Sequence, residues 1–570
     1  MLDALAKGNV DHVRNAFNEF IKVVKGGRKE NKKLHLIELI YALGLAILTA
    51  YAVKRGIEGG YVSDDWLKAK ALEVAKWAIW HITDPSLIIA AVNLMSNLSN
   101  SSLNDWAVIL ATATNALIDN ENELSKLSEF IDDLWTKRNK LSDWGGKAYL
   151  IRAMANTLRA KKNAEQVCTT FNKILNTINE IRSDPLKVLS SAIAYSRLAS
   201  AGGVDCSVYL NIDLRQEIKK LIETLKSADQ ASWLRDEQLK EYLRHYGLAE
   251  PEDALRRLIN ESLSGLYYTM GRLSIIEGKL DDVLENFEKA KNISKSLENW
   301  DNYITSYSKL VRAKVLKARN INELIDVSKE FEEVFNEAVE RLPLTAAGLT
   351  TLVELLAEYL VYLAIVGDKI KLTELTRNYG LFPQYLPPNY VVVTALFLKW
   401  LGADVKVLNA KELINMIRRS LDPVYMLALR RVLGINVNCS KECGELDDPN
   451  DAKICKMACA AAGGDKHALE ELMEYIRGIK PDLADALANF SPRAIVQALA
   501  PNDSLGSLAL ILNALINNDY ESAKAIAMAG EYLYNKPIIK ELFGDLRRAV
   551  DEEDVDGIKL ALTKLYYFHV

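Results

Sequence analysis

Four of the six cysteines fall in one short segment, as Cys439-Ser-Lys-Glu-Cys443 and Cys455-Lys-Met-Ala-Cys459. On a helix, residues four apart share a face, so each pair projects two sulfurs in one direction. The spacer between the pairs holds Asp447, Asp448, Pro449 and Asn450, a turn cluster that reverses the chain between two short helices. In the resulting antiparallel hairpin Cys439 meets Cys459 and Cys443 meets Cys455. Three chemistries are then open: two disulfides, one zinc or iron–sulfur site, or reduced packing thiols. Structural zinc sites more often place two residues between ligands, although wider spacings occur.

The remaining polar residues give no catalytic constellation. The chain has no phosphate-binding loop of the Gly-x4-Gly-Lys-Ser/Thr type, no Gly-x-Ser-x-Gly elbow, no His-Glu-x-x-His helix and no Gly-x-Gly-x-x-Gly turn. Six histidines are scattered singly, and His467, near the cysteines, is expected at the surface early in a helix. The acid pairs Asp132-Asp133, Asp281-Asp282 and Glu552-Glu553 suit solvated faces and helix starts. Cys168 and Cys206 stand alone and are expected to be small buried hydrophobes.

The twin Cys-x3-Cys segment resembles the helical hairpins of the small mitochondrial intermembrane-space chaperones over roughly twenty residues, a likeness that carries no function across. A second resemblance, to tetratricopeptide repeats, lies between Ser264 and Leu297. Tyr267, Met270 and Gly271 stand at the bulky aromatic, Leu and Gly positions, Gly278 falls in the turn, and Val283, Phe287 and Ala290 occupy the second helix. Val283 and Ser274 depart from that family's usual Ala and Tyr. Phe335, Ala338 and Pro343 echo a second-helix end, carrying the partial match to about residue 343. The resemblance implies a peptide-binding or scaffolding role through a groove made by first helices, with Tyr268, Arg272 and Ile275 as its exposed positions. Tyr268 and Ile275 also suit packing on a neighbouring hairpin, as do Trp300, Tyr303 and Tyr307 on one helical face.

The elements that must position these residues read as helices almost throughout. In Asp213 to Lys226, Leu214, Ile218, Leu221, Ile222 and Leu225 mark one face, and Asp213 with Gln216 resembles a capping box. Asp84-Pro85, Asp184-Pro185 and Asp422-Pro423 each put a capping residue before Pro, and Asn409 with Glu412 adds another cap. A helix is expected from about Asn389, despite the β-branched Tyr390-Val-Val-Val-Thr394. Gly8-Asn9, Gly278-Lys279, Gly367-Asp368, Gly464-Asp465 and Asn518-Asp519 read as hairpin corners. The expected fold is all-α, an α-solenoid of antiparallel hairpins ending in the cysteine hairpin. Turn clusters divide it into an N-terminal helical region (1–203), tetratricopeptide-like repeats (204–380) and a C-terminal region with the cysteines (381–570).

Composition bounds the class of partner. With 49% hydrophobic and 26% charged residues and only 13 Pro among 570, the chain is a folded helical protein. A net charge of -5, with both signs interspersed, gives no global case for nucleic acid. The basic Lys22 to Lys33 lacks aromatics for base stacking and reads as a solvated loop. Leu34 to Val53 is long enough to cross a membrane, but Glu38 and His35 interrupt it and burial is preferred, so membrane attachment is not expected. The start Met1-Leu-Asp-Ala-Leu-Ala-Lys7 has no charged region followed by an apolar core, so no secretory signal is expected, and the expected location is the cytoplasm. Gln occurs six times, which fits a thermophile, whereas plentiful Asn does not. The function these features favour is a non-enzymatic protein–protein interaction scaffold without cofactor. The alternative is a metal or redox protein working through Cys439, Cys443, Cys455 and Cys459 with zinc or an iron–sulfur cluster.

Overall fold

The computed structural model describes residues 103–569 apart from 119, 162, 202–205, 207–209, 211, 245–249, 343–345, 379–386 and 406–407, together with 79, 88–89 and 92–93. The basic loop at Lys22, the apolar run from Leu34, Gly8-Asn9, Asp84-Pro85 and Pro343 lie outside the described residues. Among the described residues there is no strand, only one isolated bridge between Leu421 and Pro501. The all-α expectation therefore holds. Two compact units interleave in sequence: one runs to Leu273 and adds Glu285–Ser306 and Arg341–Thr351, the other takes Ser274–Leu284, Tyr307–Glu340 and Leu352–Val570.

The first unit is built on α1 (Leu103–Ala116), α2 (Ala148–Asn156), α3 (Ala164–Asn179), α4 (Asp184–Ser200) and α5 (Leu214–Lys226). α1 packs on α2, and α4 packs on α2, α3 and α5. Caps start these helices: Asn163 accepts from the Gln166 N–H and Asp213 from the Gln216 N–H. At Asp184-Pro185 the cap sits one residue earlier than expected, because the Ser183 hydroxyl accepts from the Leu186 N–H and Asp184 opens the helix instead. Two long helices follow, α6 (Pro251–Ile276) and α7 (Leu280–Ser296), and then α8 (Trp300–Lys317) and α9 (Ala346–Val366). The residues carrying the repeat-like resemblance are interior: Tyr267, Met270, Val283, Phe287 and Ala290 are all buried. A Cβ on Gly271 would lie 2.8 Å from the Phe287 ring, so α6 meets the α7 aromatic at a distance that only Gly allows.

The second unit contains α10 (Pro388–Trp400), α11 (Ala410–Ile417), α12 (Pro423–Val432), α13 (Pro449–Ala462), α14 (Lys466–Ile479), α15 (Ser504–Ile516), α16 (Tyr520–Leu533), α17 (Pro537–Asp551) and α18 (Val555–His569). Successive helices across tight corners pack on one another, α13 on α14, α15 on α16, α16 on α17 and α17 on α18. Asn409 and Glu412 form the full capping box at α11, and Asp422 caps α12 as expected. α10 begins at Pro388, so the β-branched run is helical, its Val392 and Val393 buried.

One corner device recurs in both units. Gly278, Gly367, Gly464 and Asn518 all have positive φ, as do Gly402, Gly434, Glu298 and Glu553. At each, the next residue's N–H returns to a carbonyl five residues earlier: Lys279 to Ser274 at 2.8 Å, Asp368 to Leu363 at 2.9 Å, Asp465 to Ala460 at 3.2 Å, Asp519 to Ala514 at 2.9 Å. Asn299 returns to Ser294 and Asp554 to Ala549 in the same way. These bonds satisfy carbonyls that the helix end would otherwise orphan, and the left-handed residue turns the chain.

α9 contains the one described segment long and apolar enough to cross a membrane, Gly348–Val366. Two thirds of it is buried in the fold, and it carries Glu354 and Glu358. Glu358, fully buried, pairs with Arg312, accepts from the Ser308 hydroxyl at 3.2 Å, and its carbonyl accepts from Tyr567 at 2.9 Å. That is the behaviour of a core helix that solves its own electrostatics inside protein.

Candidate functional site: a disulfide hairpin and an arginine-weighted cavity

The cysteine segment folds as its spacing dictates. Asn438 caps the short helix Cys439–Glu442, and Asp448 caps α13 with Pro449 in its first turn. The pairs close as Cys439–Cys459 and Cys443–Cys455, with Cα separations of 6.0 and 5.7 Å. Of the three chemistries open from sequence, the disulfide one is formed. Cys443, Cys455 and Cys459 are fully buried, while Cys439 is half-exposed. Arg431 from α12 lies across the outer bond, its Nη1 donating to the Cys459 carbonyl at 2.9 Å. Arg430 pairs with Glu442 at 3.2 Å, fastening the short helix to α12.

Cys168 and Cys206 are buried as expected, but they form a third disulfide, with S–S 2.06 Å and Cα atoms 5.5 Å apart. They lie 38 positions apart, so no local spacing announces the pairing. His467 is exposed, 3.7 Å from Glu471 on the same helix. Among the described residues no group of three or more His, Cys, Asp or Glu is arranged to hold a metal ion. The acid pairs are surface features: Asp133 pairs with Lys137, Asp132 with Lys173 and Asp281 with Lys317.

The groove candidates lead elsewhere. Tyr268 and Arg272, one turn apart on α6, both line a cavity of about 340 Å³ in the first unit. Tyr268 also tilts against Phe287, rings 5.4 Å apart, so it packs inward on one side and faces the cavity on the other. Ile275 is half-buried and does not line the cavity. Of the aromatic face, Tyr303 is buried, Trp300 lies under the Arg341 guanidinium at 4.4 Å, and Tyr307 donates to Glu333 at 3.0 Å. These three serve packing and pairing.

Sequence reasoning did not foresee the rest of the cavity wall, which comes from α1, α2, α4, α6, α8 and the start of α9. Arg152 and Arg159 contribute from α2 and the turn after it, and Arg197 from α4; with Arg272, four arginines line the cavity together with Glu261 and Asp301 among the described residues. Burial pushes the Glu261 carboxyl up to about 7, against the pull of Arg152. Arg257 also donates to Glu261 at 3.0 Å. Asn156 is 1% exposed; its Nδ2 donates to Thr114 at 3.2 Å, and its Oδ1 finds no donor among the described residues. These residues are far apart in sequence and on unlike helices, so no motif marks them.

A second cavity, of about 410 Å³ in the second unit, is walled mostly by apolar residues such as Leu396, Leu413 and Leu433, with Arg493 and Asp519 already 3.6 Å apart at its edge. It has fewer polar groups to orient a ligand. No protein-family model matches the chain, and neither the curated proteins nor the solved structures compared with it gave a match.

Proposed function

We propose that this chain is a non-enzymatic interaction scaffold, built on tetratricopeptide-like helical hairpins, that receives an anionic group of a protein or peptide partner in the first unit. The observation that carries this reading is the cavity beside α6, where Tyr268 and Arg272 share a wall with three further arginines. A concave, polar site on a rigid helical frame suits binding, and its cationic balance suits an acidic partner group. The buried hairpin positions Tyr267, Gly271, Phe287 and Ala290 support the repeat-like reading of α6 and α7. The disulfides act as staples in this account, each closing a loop of the unfolded chain and stabilising the fold by about 3–4 kcal/mol on the chain-entropy estimate. Such bonds persist in oxidising compartments and in the cytoplasm of hyperthermophiles, and the second setting keeps the cytoplasmic placement.

The test is a photo-reactive amino acid placed at Tyr268 in the intact protein, expressed in its own cells. A discrete cross-linked partner whose yield falls when Arg272→Glu is added supports the scaffold. A protein that yields no cross-link, or one indifferent to Arg272→Glu, contradicts it.

A further inference from the structure

Independently of the cavity in the first unit, we infer that the outer bond of the cysteine hairpin, Cys439–Cys459, is a thiol–disulfide exchange site that reacts with an external dithiol while Cys443–Cys455 holds the fold. Access separates the two bonds. Cys439 is half-exposed, whereas Cys443, Cys455 and Cys459 are fully buried. An incoming thiolate therefore reaches the Cys439 sulfur and no other of the four, and access to the attacked sulfur governs exchange. The inner bond keeps the hairpin closed whichever state the outer bond is in.

Arg431 supplies the second requirement, an electropositive setting for a thiolate. Its Nη1 lies 4.0 Å from the Cys439 Sγ and donates to the Cys459 carbonyl at 2.9 Å, so the guanidinium spans both partners of the bond. Among the described residues no carboxylate pairs with Arg431, in contrast to Arg430, which Glu442 matches at 3.2 Å. Gly463, in the corner after α13, makes the seat: a Cβ there would overlap the Arg431 guanidinium and push it off the bond. An unmatched positive charge beside the sulfurs draws in an anionic thiolate and stabilises the thiolate that departs. In the first step one thiolate of the dithiol attacks the Cys439 Sγ, a new S–S bond joins the two, the Cys439–Cys459 bond breaks, and its electron pair leaves on Cys459 as thiolate. The second thiolate of the dithiol then attacks the sulfur already bonded to Cys439, closing the reagent's own disulfide and releasing Cys439. Two electrons and two protons have then passed from the dithiol to the protein, and an external disulfide reverses the sequence.

The test treats the full-length oxidised protein at one fixed pH with glutathione, a monothiol that stops at the first step, and separately with dithiothreitol, which completes the sequence. Acid quenching, alkylation and peptide mass spectrometry follow each cysteine in time, with circular dichroism recorded alongside. The inference predicts glutathione on Cys439 with Cys459 free, and in dithiothreitol an outer bond that opens at least about tenfold faster than the inner one at unchanged helicity. Arg431→Gln and Gly463→Ala each slow the first step roughly tenfold at low salt, and Arg431→Lys retains most of the rate. Salt at about 1 M removes the wild-type advantage, because an exposed charge is screened. Glutathione on Cys459 in place of Cys439, both bonds opening together, opening only with loss of helicity, or no reaction with either reagent overturns the exchange site. An Arg431→Gln rate equal to that of the wild type at low salt overturns the part given to Arg431. None of these readouts depends on the first-unit cavity or on a bound partner, so they stand or fall apart from the scaffold reading.

Discussion

At the residue scale, the two bonds of the cysteine hairpin differ in access. Cys439 is half-exposed, whereas Cys443 and Cys455 are fully enclosed. Mild reduction of the folded protein should therefore open Cys439–Cys459 first, and timed alkylation followed by peptide mass spectrometry should label Cys439 and Cys459 before Cys443 or Cys455. Simultaneous labelling of all four would contradict that order. Glu261 gives a second residue-level expectation. Its folded pKa of about 7 lies above the ordinary carboxylate value, so its contribution to stability is complete below about pH 4.5 and is lost as pH rises through about 7. Glu261→Gln should flatten the pH dependence of the melting temperature between those limits, and an unchanged slope would show that Glu261 does not titrate there. The two kinds of site were not equally legible. Spacing alone paired the four clustered cysteines, because a helical period of four and one turn leave little freedom. Cys168 with Cys206, and the four cavity arginines, are united only by tertiary packing, and a lone Arg on a helix looks the same whether it faces solvent or a cavity.

At the element scale, the corners show what local sequence does and does not announce. Gly278, Gly367, Gly464 and Asn518 are residue types that accept positive φ, and each was readable as a helix end. Glu298 and Glu553 occupy the same conformation, φ 51° and 55°, without a residue type to signal it. There the neighbouring helices and the returning bonds of Asn299 and Asp554 override local preference. Glu298→Gly should relieve that strain and stabilise the protein by about 0.5–1 kcal/mol in chemical denaturation, with destabilisation as the contrary result. Gly271 predicts the opposite sign. A methyl there meets the Phe287 ring at 2.8 Å, so Gly271→Ala should cost about 1–3 kcal/mol. The Cys-x3-Cys turn, the Asn409 capping box and the α10 start at Pro388 were equally legible, since each depends on a few adjacent residues. The start of α4 moved by one residue because Ser183 out-competed Asp184 for the capping position.

At the scale of the whole molecule, the second unit is closed by a buried polar network drawn from distant parts of the chain. Arg312 pairs with Glu358, Tyr567 donates to the Glu358 carbonyl, and Tyr390, Thr394 and Tyr566 share hydroxyl bonds of 2.8 and 2.9 Å. Burial raises the Glu358 carboxyl while Arg312 opposes it, so the pair is stable only as a pair. Arg312→Met alone should destabilise by about 3–5 kcal/mol, and Arg312→Met with Glu358→Leu by much less, measured by denaturant unfolding. Equal losses in the two proteins would mean that the network is not coupled through that pair. The function proposed for the molecule rests on the first unit, on the cavity that Tyr268, Arg272 and three further arginines line. The most direct measurement is native mass spectrometry of the protein purified gently from its own cells, beside an Arg272→Glu version prepared identically. A protein partner bound in fixed stoichiometry to the wild-type chain and lost from the variant is the predicted result. A wild-type chain that carries no partner, or one that Arg272→Glu retains in full, would contradict the scaffold account.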